Sequence, residues 1–343
     1  MPIDWNALPG LPKAYGNGPA PDHFGDLAAE LSAVTDTSQT TLMLTDLAWI
    51  RVSGDDARSF LHNQLTSDIQ HLEAGRWQHS AWCSAKGRML ASFLIVRPTD
   101  EPAYELGLPV ELLPAVIKRL RMFVLRSKVV LEDRSSHVVT LAINGPGVAG
   151  LVSGAGFSTP EVGAAAAAGP GGWTIRVSDS QVLVALATER LAVFAGWTGR
   201  AKLAGLAAWR LAGVRNGIPV ILESTQDEFV PQMVNFDKMG GVSFHKGCYP
   251  GQEVVARTQY LGKVKRHLYR ARSLQEVHPG VPLFPAAGGQ ESTSSCGTVA
   301  NSAPSPDGGW ESLIVVLESA AATPIHAGSP DGPVLSNLDL VAA

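Results

Sequence analysis

Residues 246–253 read Lys-Gly-Cys-Tyr-Pro-Gly-Gln-Glu and are the most informative stretch of this 343-residue chain. The two glycines and the proline each favour a backbone conformation that other residues resist, so the stretch predicts a tight loop. Gln252 and Glu253 are expected to begin a helix. Cys248 would then lie just outside a helix N-terminus and two residues from Lys246. Both features favour a thiolate over a thiol.

Cys248 has two interpretations at this point. A cation, a helix end and the carboxylate of Glu253 converge on one loop, which is the setting of a reactive thiol. Alternatively, a cysteine in a glycine-rich turn is simply a small, compact residue. The convergence favours the first interpretation, so Cys248 and Lys246 are the candidate catalytic residues.

Outward from this loop, the chain shows signs of an internal duplication. A strand, a glycine turn and the start of a helix occur around Gly54 and recur around Gly145. This pattern predicts two related α+β units. Beyond residue 265 the pattern changes to short strands broken by proline and glycine, which predicts a small C-terminal β-barrel.

The expected organisation has five parts. They are an N-terminal arm (1–38), a first α+β unit (39–135), a second α+β unit with a flexible loop at 154–172 (136–200), a segment that returns to the core and carries the loop motif (201–264), and the barrel (265–343). Two local expectations are a helix over residues 201–211 and a short strand over residues 242–244.

Composition excludes several classes of protein. Lys and Arg total 27 against 31 Asp and Glu, a net charge of −4, which argues against a main role in holding nucleic acid. The three cysteines form no Cys-x-x-Cys pair, so neither a disulfide framework nor a self-contained zinc site is expected. Apolar runs fall short of the roughly 18 residues that span a membrane, and no signal peptide is visible. We therefore expect a cytoplasmic protein.

A run of basic residues follows the loop motif and leaves two possibilities open. It could track an anionic ligand or RNA, or it could be the solvated rim of a hairpin. The residues are Arg257, Lys263, Lys265, Arg266, Arg270 and Arg272.

The pattern Lys-Gly-Cys-Tyr-x-Gly-Gln-Glu resembles the signature of the YgfZ proteins, which are folate-binding relatives of the glycine-cleavage T-protein. The resemblance runs from about Thr41 into the C-terminal domain. Its other parts read Phe-Leu-His-Asn-Gln-Leu-Thr-Ser-Asp (60–68), Cys-Ser-Ala-Lys-Gly-Arg (83–88), Val-Leu-Arg-Ser-Lys-Val (124–129) and Trp-Arg-Leu-Ala-Gly-Val-Arg-Asn-Gly-Ile-Pro (209–219).

The resemblance implies a T-protein-like ring of two related α+β units and a C-terminal β-barrel, with tetrahydrofolate in its central hole. The family's folate-contacting tryptophan falls on Trp209, where an indole face suits a flat pterin or aminobenzoyl ring. Without the resemblance, Trp209 is equally readable as a core anchor. A second aromatic contact of some relatives falls on Leu47, which is a departure from that pattern.

The loop motif supplies the remaining candidate folate contacts. Glu253 and Gln252 could accept or donate hydrogen bonds at the pterin, and Arg257 or Lys263 could pair with the glutamate tail. Tyr249 and Gly251 complete the candidate cofactor-binding set.

The resemblance implies a folate-dependent accessory protein for iron–sulfur clusters of client enzymes, including radical enzymes that methylthiolate tRNA. The expected partners are folate and these clients or assembly proteins, with no direct nucleic acid and no membrane. One thiolate does not hold a cluster, which generally needs four ligands, so a helper is expected and not a carrier.

The alternatives are a true aminomethyltransferase and a plain folate store. In the T-protein relatives, aminomethyl transfer relies on an aspartate after the second strand pair, whereas residues 101–132 of this chain contain no Asp. The T-protein motif also lacks the cysteine found here. Both differences favour the accessory role.

Overall fold

The strands of this α+β chain form two open sheets and one closed barrel in the computed structural model. The structure describes residues 4–8, 11–16, 18, 20–99, 101–169, 171–197, 199–286 and 294–342. The strands are β1 (Thr41–Leu44), β2 (Leu47–Ser53), β3 (Arg76–Cys83), β4 (Met89–Arg97), β5 (Ala103–Pro109), β6 (Val130–Asp133), β7 (Val138–Asn144), β8 (Ala165–Ala167), β9 (Trp173–Ser178), β10 (Gln181–Ala187), β11 (Lys202–Ala204), β12 (Arg266–Ser273), β13 (Pro282–Pro285), β14 (Gly297–Pro304), β15 (Trp310–Leu317), β16 (Ile325–Ala327) and β17 (Val334–Leu340).

The α-helices are short, and several are preceded by a turn of 3₁₀ helix. They are α1 (Leu27–Ala33), α2 (Ala57–Gln64), α3 (Leu113–Arg121), α4 (Val148–Gly154), α5 (Ala192–Trp197), α6 (Leu206–Arg215) and α7 (Gln252–Tyr260). The 3₁₀ segments are Trp5–Ala7, Val110–Leu112, Thr188–Arg190, Glu223–Thr225 and Pro231–Val234.

The chain divides into two compact units. The first comprises Met1–His62, Ile69–Gln78 and Phe93–Trp209, and the second comprises Asn63–Asp68, His79–Ser92 and Arg210–Ala343. The predicted five-part organisation and the ring-like arrangement stay predictions.

The first unit contains a six-stranded sheet in the order β11-β1-β7-β10-β9-β8. A second sheet has the order β3-β4-β5-β2-β6, and its strands β3 and β4 continue into the second unit. In the first unit, the indole N–H of Trp49 on β2 donates to the Thr140 hydroxyl on β7 at 2.7 Å. Trp49 also meets Trp173 edge to face, with ring centroids 4.9 Å apart. Trp49 therefore joins the two sheets inside this unit.

Part of the N-terminal segment packs into the first unit. Trp5 and Phe24 belong to its hydrophobic core. The buried carboxylate of Glu30 on α1 accepts hydrogen bonds from the backbone N–H groups of Phe24 and Gly205, at 2.7 and 2.9 Å. One side chain thus ties the segment before α1 to the residue between β11 and α6.

Two local expectations are wrong. Residues 201–211 are not one helix, because Lys202–Ala204 pair with β1 as a parallel strand and α6 begins only at Leu206. A Cβ at the intervening Gly205 would lie 2.3 Å from the Asp22 carbonyl oxygen, so only glycine allows this junction. Residues 242–244 form no strand, because Ser243 makes a single ladder-like bond, from its N–H to the Thr66 carbonyl at 2.9 Å.

The second unit contains the closed six-stranded barrel, in the order β12-β15-β14-β13-β16-β17. β12 and β15 pair in continuous antiparallel register from Arg266 with Leu317 to Ser273 with Trp310. Leu283, Val299 and Ile314 are fully buried in its core. The C-terminal barrel and the α+β class expected from the sequence are confirmed. Among the described residues, no helix combines the length and apolarity needed to cross a membrane.

Glu105 on β5 is a buried carboxylate in the first unit. Its Oε1 atom lies 2.9 Å from the Arg51 guanidinium and 3.9 Å from that of Arg134. Its Oε2 atom is buried and has no hydrogen-bond partner in the described structure. Burial raises the pKa of Glu105 to about 7, against the opposing charges of Arg134 and Arg51.

We predict that Glu105→Gln removes a pH-dependent loss of stability. Because the pKa rises from 4.5 to about 7 on folding, the folded state binds more protons than the unfolded state between these values. As the pH rises across this range, the free energy of unfolding of the parent protein therefore falls relative to that of the variant, by at most about 3 kcal/mol. Above this range the difference between the two proteins is constant. Urea unfolding at a series of pH values measures this difference, and parallel profiles would contradict the assignment.

Candidate functional site

The loop that carries Cys248 is anchored by a close contact between glycines in the second unit. Gly251, at the N-terminus of α7, has φ +79° in the left-handed region. A Cβ at Gly251 would lie 2.4 Å from the Ser84 carbonyl oxygen and 2.6 Å from the Gly87 Cα. Gly87 has φ +72°, and its own Cβ would lie 2.8 Å from the Val254 side chain. Glycine is therefore required on both sides of this contact.

The turn at residues 84–87 is itself tied to residues 227–229. The Ser84 hydroxyl donates to the Asp227 carboxylate at 2.7 Å, and the Arg88 guanidinium donates to the Glu228 carbonyl. Backbone bonds from Asp227 N–H to Met89 O and from Met89 N–H to Phe229 O, at 2.9 and 2.8 Å, complete the link. The loop thus rests on a turn that is braced from its other side.

Lys246 braces the first half of the loop. Its ammonium group donates to the Leu65 carbonyl at 2.5 Å and lies 5.1 Å from the centre of the Tyr249 ring. Burial lowers the pKa of Lys246 to about 8, opposed by the charge of Asp68. These contacts give Lys246 a positioning role in the loop, in addition to the electrostatic role expected from its proximity to Cys248 in sequence.

Cys248 is exposed, while Cys83 and Cys296 are buried. Burial raises the pKa of the Cys83 thiol to about 12, with a further increase from the charge of Asp227. Tyr249 is buried beside this region, and burial raises the pKa of its hydroxyl as well. Of the three thiols, Cys248 is therefore the one exposed to solvent.

The other candidate residues occupy two places. Gln252, Glu253 and Arg257 lie on α7, where Glu253 and Arg257 are exposed and the Gln252 amide lies 3.5 Å from the Lys246 carbonyl. Trp209 lies on α6 and Leu47 begins β2, both in the first unit and both partly buried. α7 begins at Gln252, where the sequence predicted it, so Cys248 lies four positions before the helix.

Sequence reasoning missed the residues that support the loop. The Thr66 hydroxyl donates to the Gly241 carbonyl at 2.6 Å, and it accepts from the Ala81 N–H at 2.8 Å. The buried Gln232 amide donates to the Val255 carbonyl on α7 at 2.8 Å. The available signal was that the segments 60–68 and 83–88 belong to the family resemblance. Long-range backbone contacts leave no periodicity in the sequence, so their partners could not be predicted.

Two cations of the basic run after the loop, Lys263 and Arg272, form ion pairs with carboxylates. Lys263 pairs with Glu318 at 3.2 Å, and Arg270 stands opposite Asp339 in the β12–β17 register. Arg272 lies 3.5 Å from both Asp307 and Glu311. These pairings favour the solvated-rim interpretation over an RNA track. In the part of the chain that the structure describes, no group of three or more His, Cys, Asp or Glu residues could hold a metal ion.

Comparisons with known proteins agree with the motif. Residues 10–158 match the family model described as the GCVT N-terminal domain. The tRNA-modifying protein YgfZ of Edwardsiella ictaluri (strain 93-146) is 33% identical over 245 residues, covering 70% of this chain and 73% of that protein. The protein of the same name from Vibrio vulnificus (strain YJ016) is 31% identical over 249 residues, covering 70% and 71%.

A solved structure shows the same fold. The glycine cleavage system aminomethyltransferase T from Bartonella henselae aligns with a TM-score of 0.77. The alignment covers 97% of this chain and 94% of that one, at 17% identity. Identity this low establishes the fold and leaves the activity open.

We predict that Gly251→Ala destabilises the second unit more than Gly240→Ala does. Both glycines have positive φ, so each substitution costs roughly 1–2 kcal/mol of backbone strain. In the described part of the chain a Cβ at Gly240 meets no atom within 4 Å, whereas a Cβ at Gly251 would collide with the Ser84–Gly87 turn. The collision should add about 1–3 kcal/mol, measured by urea unfolding. Equal losses in the two variants would disprove the close contact.

Proposed function

Because the chain belongs to the YgfZ family, we propose that it is a tetrahydrofolate-binding accessory protein that assembles or maintains the iron–sulfur clusters of client enzymes. The observation that carries this proposal is the exposed Cys248 on a loop braced by Lys246 and Gly251. A thiol held in this way can reach a cluster on another protein without binding one permanently, since a stable cluster generally needs four ligands.

The other thiols do not suit this role. Cys83 is buried, and at a pKa of about 12 it stays protonated near neutral pH. Cys296 lies in the barrel core, where burial also raises its pKa. Thiolates, not thiols, attack and bind metals. The chemistry is therefore assigned to Cys248.

Each unit, taken by itself, exposes side chains of the kinds that bind folate. Trp209 is only partly buried, in contrast to the fully buried Trp49 and Trp173 of the core, so part of its surface stays accessible for stacking. Glu253 and Arg257 are exposed on α7 and offer an acceptor for pterin N–H groups and a cation for a carboxylate tail. Bound tetrahydrofolate would supply one-carbon or redox chemistry that protein side chains lack. Gln252, Tyr249 and Leu47 are proposed as secondary contacts.

The charge distribution supports action through clients and not on RNA itself. The relatives are named tRNA-modifying proteins, yet this chain has a net charge of −4, and two members of its basic run, Lys263 and Arg272, are paired with carboxylates. Phosphate binding requires a surplus of accessible cations. We propose that the clients are cluster-dependent enzymes that modify tRNA, which places the protein in the cytoplasm with them.

We predict that Cys248→Ala lowers methylthiolation of tRNA in cells that lack the parent protein, while the variant folds normally. The reason is that the substitution removes an exposed thiol and no packing contact of the core. Mass spectrometry of tRNA nucleosides measures the modification, and Cys296→Ala is the matched control for loss of a thiol. Full methylthiolation with Cys248→Ala would exclude a thiol-dependent role.

We predict that Trp209→Ala weakens tetrahydrofolate binding by about 1–3 kcal/mol, because a stacked aromatic surface is lost. Trp209→Phe should recover part of the affinity, since it keeps an aromatic face at the same position. Isothermal titration calorimetry measures both values. An unchanged affinity in Trp209→Ala would mean that the indole has a structural role.

A further inference from the structure

The segment that follows α3 exposes large apolar side chains between cations. Met122 is 67% exposed and Leu125 is 87% exposed, although residues of this size are usually sheltered. We call this surface the 118–126 tip. Its exposed side chains include Lys118, Arg121, Met122, Phe123, Leu125 and Arg126.

The tip has a defined and unfavourable backbone. Leu125 has φ +47°, in the left-handed region that bulky residues rarely enter. Turn bonds hold it there, from Phe123 N–H to Leu120 O at 3.0 Å and from Ser127 N–H to Val124 O at 2.8 Å. Because Leu125 is exposed, its strained backbone does not serve packing inside the chain. Backbone strain of this kind concentrates at functional sites.

The contacts just beyond the tip keep it in place within the first unit. The Lys128 N–H donates to the Asp56 carboxylate at 2.8 Å. A Cβ at Gly54 would lie 2.2 Å from the Lys128 carbonyl oxygen, so this close approach requires glycine. The tip is therefore presented on a fixed support.

The cations of the tip include two without a carboxylate partner. In the described part of the chain, no carboxylate lies within 4 Å of Lys118 or Arg126. The C-terminus of α3 favours Lys118 and Arg121 through the helix dipole, but Arg126 lies beyond the helix and has no such explanation. An acidic surface would complement these charges.

We propose that the 118–126 tip docks a protein whose surface offers an apolar pocket inside an acidic rim, and that this protein is the cluster-dependent client enzyme. The identity of the client rests on the proposed function. Met122 and Leu125 are the anchors that enter the pocket, and Lys118 and Arg126 face the rim. Few, rigid anchors of this kind carry most of the affinity in protein interfaces.

A protein fits the tip better than RNA or a bilayer does. Bases stack on flat aromatic or guanidinium groups, and the tip exposes such groups at Arg121, Phe123 and Arg126. Its two most exposed apolar side chains, Met122 and Leu125, are aliphatic instead. Membrane-surface helices expose an apolar face, but the apolar residues of α3 (Leu113, Val116, Ile117 and Leu120) are buried. A preformed turn with an apolar centre and a cationic edge matches a pocket of fixed shape.

The test compares two exposed leucines. Leu125→Glu and Leu274→Glu place the same charge at side chains that are 87% and 94% exposed. Binding of the full chain to a purified, cluster-loaded tRNA methylthiotransferase is measured by biolayer interferometry. Leu125→Glu should weaken binding at least about tenfold, and Leu274→Glu should leave it unchanged. Equal affinities, or no binding by the parent protein, would overturn the proposal.

Leu125→Gly separates docking from folding. Glycine adopts positive φ without strain, so this variant should melt at the same or a higher temperature and still bind weakly. Retained affinity would mean that the side chain has no role in docking. Parallel measurements use unmodified tRNA and phosphatidylglycerol vesicles in place of the enzyme. If tRNA or the vesicles bind in a way that depends on Leu125, and the enzyme does not, the partner is RNA or a membrane and not a protein.

The outcomes also distinguish this inference from the proposed function. If Cys248→Ala abolishes methylthiolation while Leu125→Glu binds the enzyme normally, the docking inference fails and the function stands. If neither variant changes methylthiolation and the enzyme does not bind, both fail.

Discussion

The contact between Gly251 and the Ser84–Gly87 turn is the constraint on which the loop that carries Cys248 depends. Two stretches of backbone approach within a distance that excludes any Cβ, and both glycines take conformations that other residues resist. This contact sets where α7 begins. It consequently sets where the chain must place the residues between Lys246 and Gln252. The exposure of Cys248 is then a consequence of this backbone packing together with the hydrogen bond from Lys246 to the Leu65 carbonyl.

Charge is used differently around this loop than in the barrel. Lys246 is partly buried, and its ammonium group donates to the Leu65 carbonyl and lies near the Tyr249 ring. In the barrel, Glu311 on β15 accepts two hydrogen bonds from Arg215 of α6, at 2.6 and 2.9 Å, and lies 3.5 Å from Arg272. Lys246 and Arg272, which sequence reasoning singled out, therefore contact other parts of the second unit. The number of cations alone is a poor guide to an anionic ligand.

The sequence was sufficient to predict the class of fold and the loop motif. It was insufficient to predict the local structure and the contacts that connect the two. Short strands broken by proline and glycine predicted the barrel, and β12 and β15 pair in it residue by residue. The helix expected over 201–211 failed at Gly205, whose requirement comes from Asp22, a residue distant in sequence. Residues 242–244 have strand-like composition but pair with Thr66 only once. The support of the site by Leu65, Thr66 and Ser84 could not be predicted for the same reason, because it arises from contacts between distant segments.

An exposed thiol on a braced loop has little selectivity of its own. Any accessible metal or disulfide can meet it, so a helper of the proposed kind needs recognition from another surface. In the basic run after the loop, Lys263 and Arg272 are already paired with carboxylates. The 118–126 tip offers exposed aliphatic anchors, cations without carboxylate partners and a backbone held in advance. Separating chemistry from recognition in this way would let the loop stay small while the choice of client is set elsewhere in the chain.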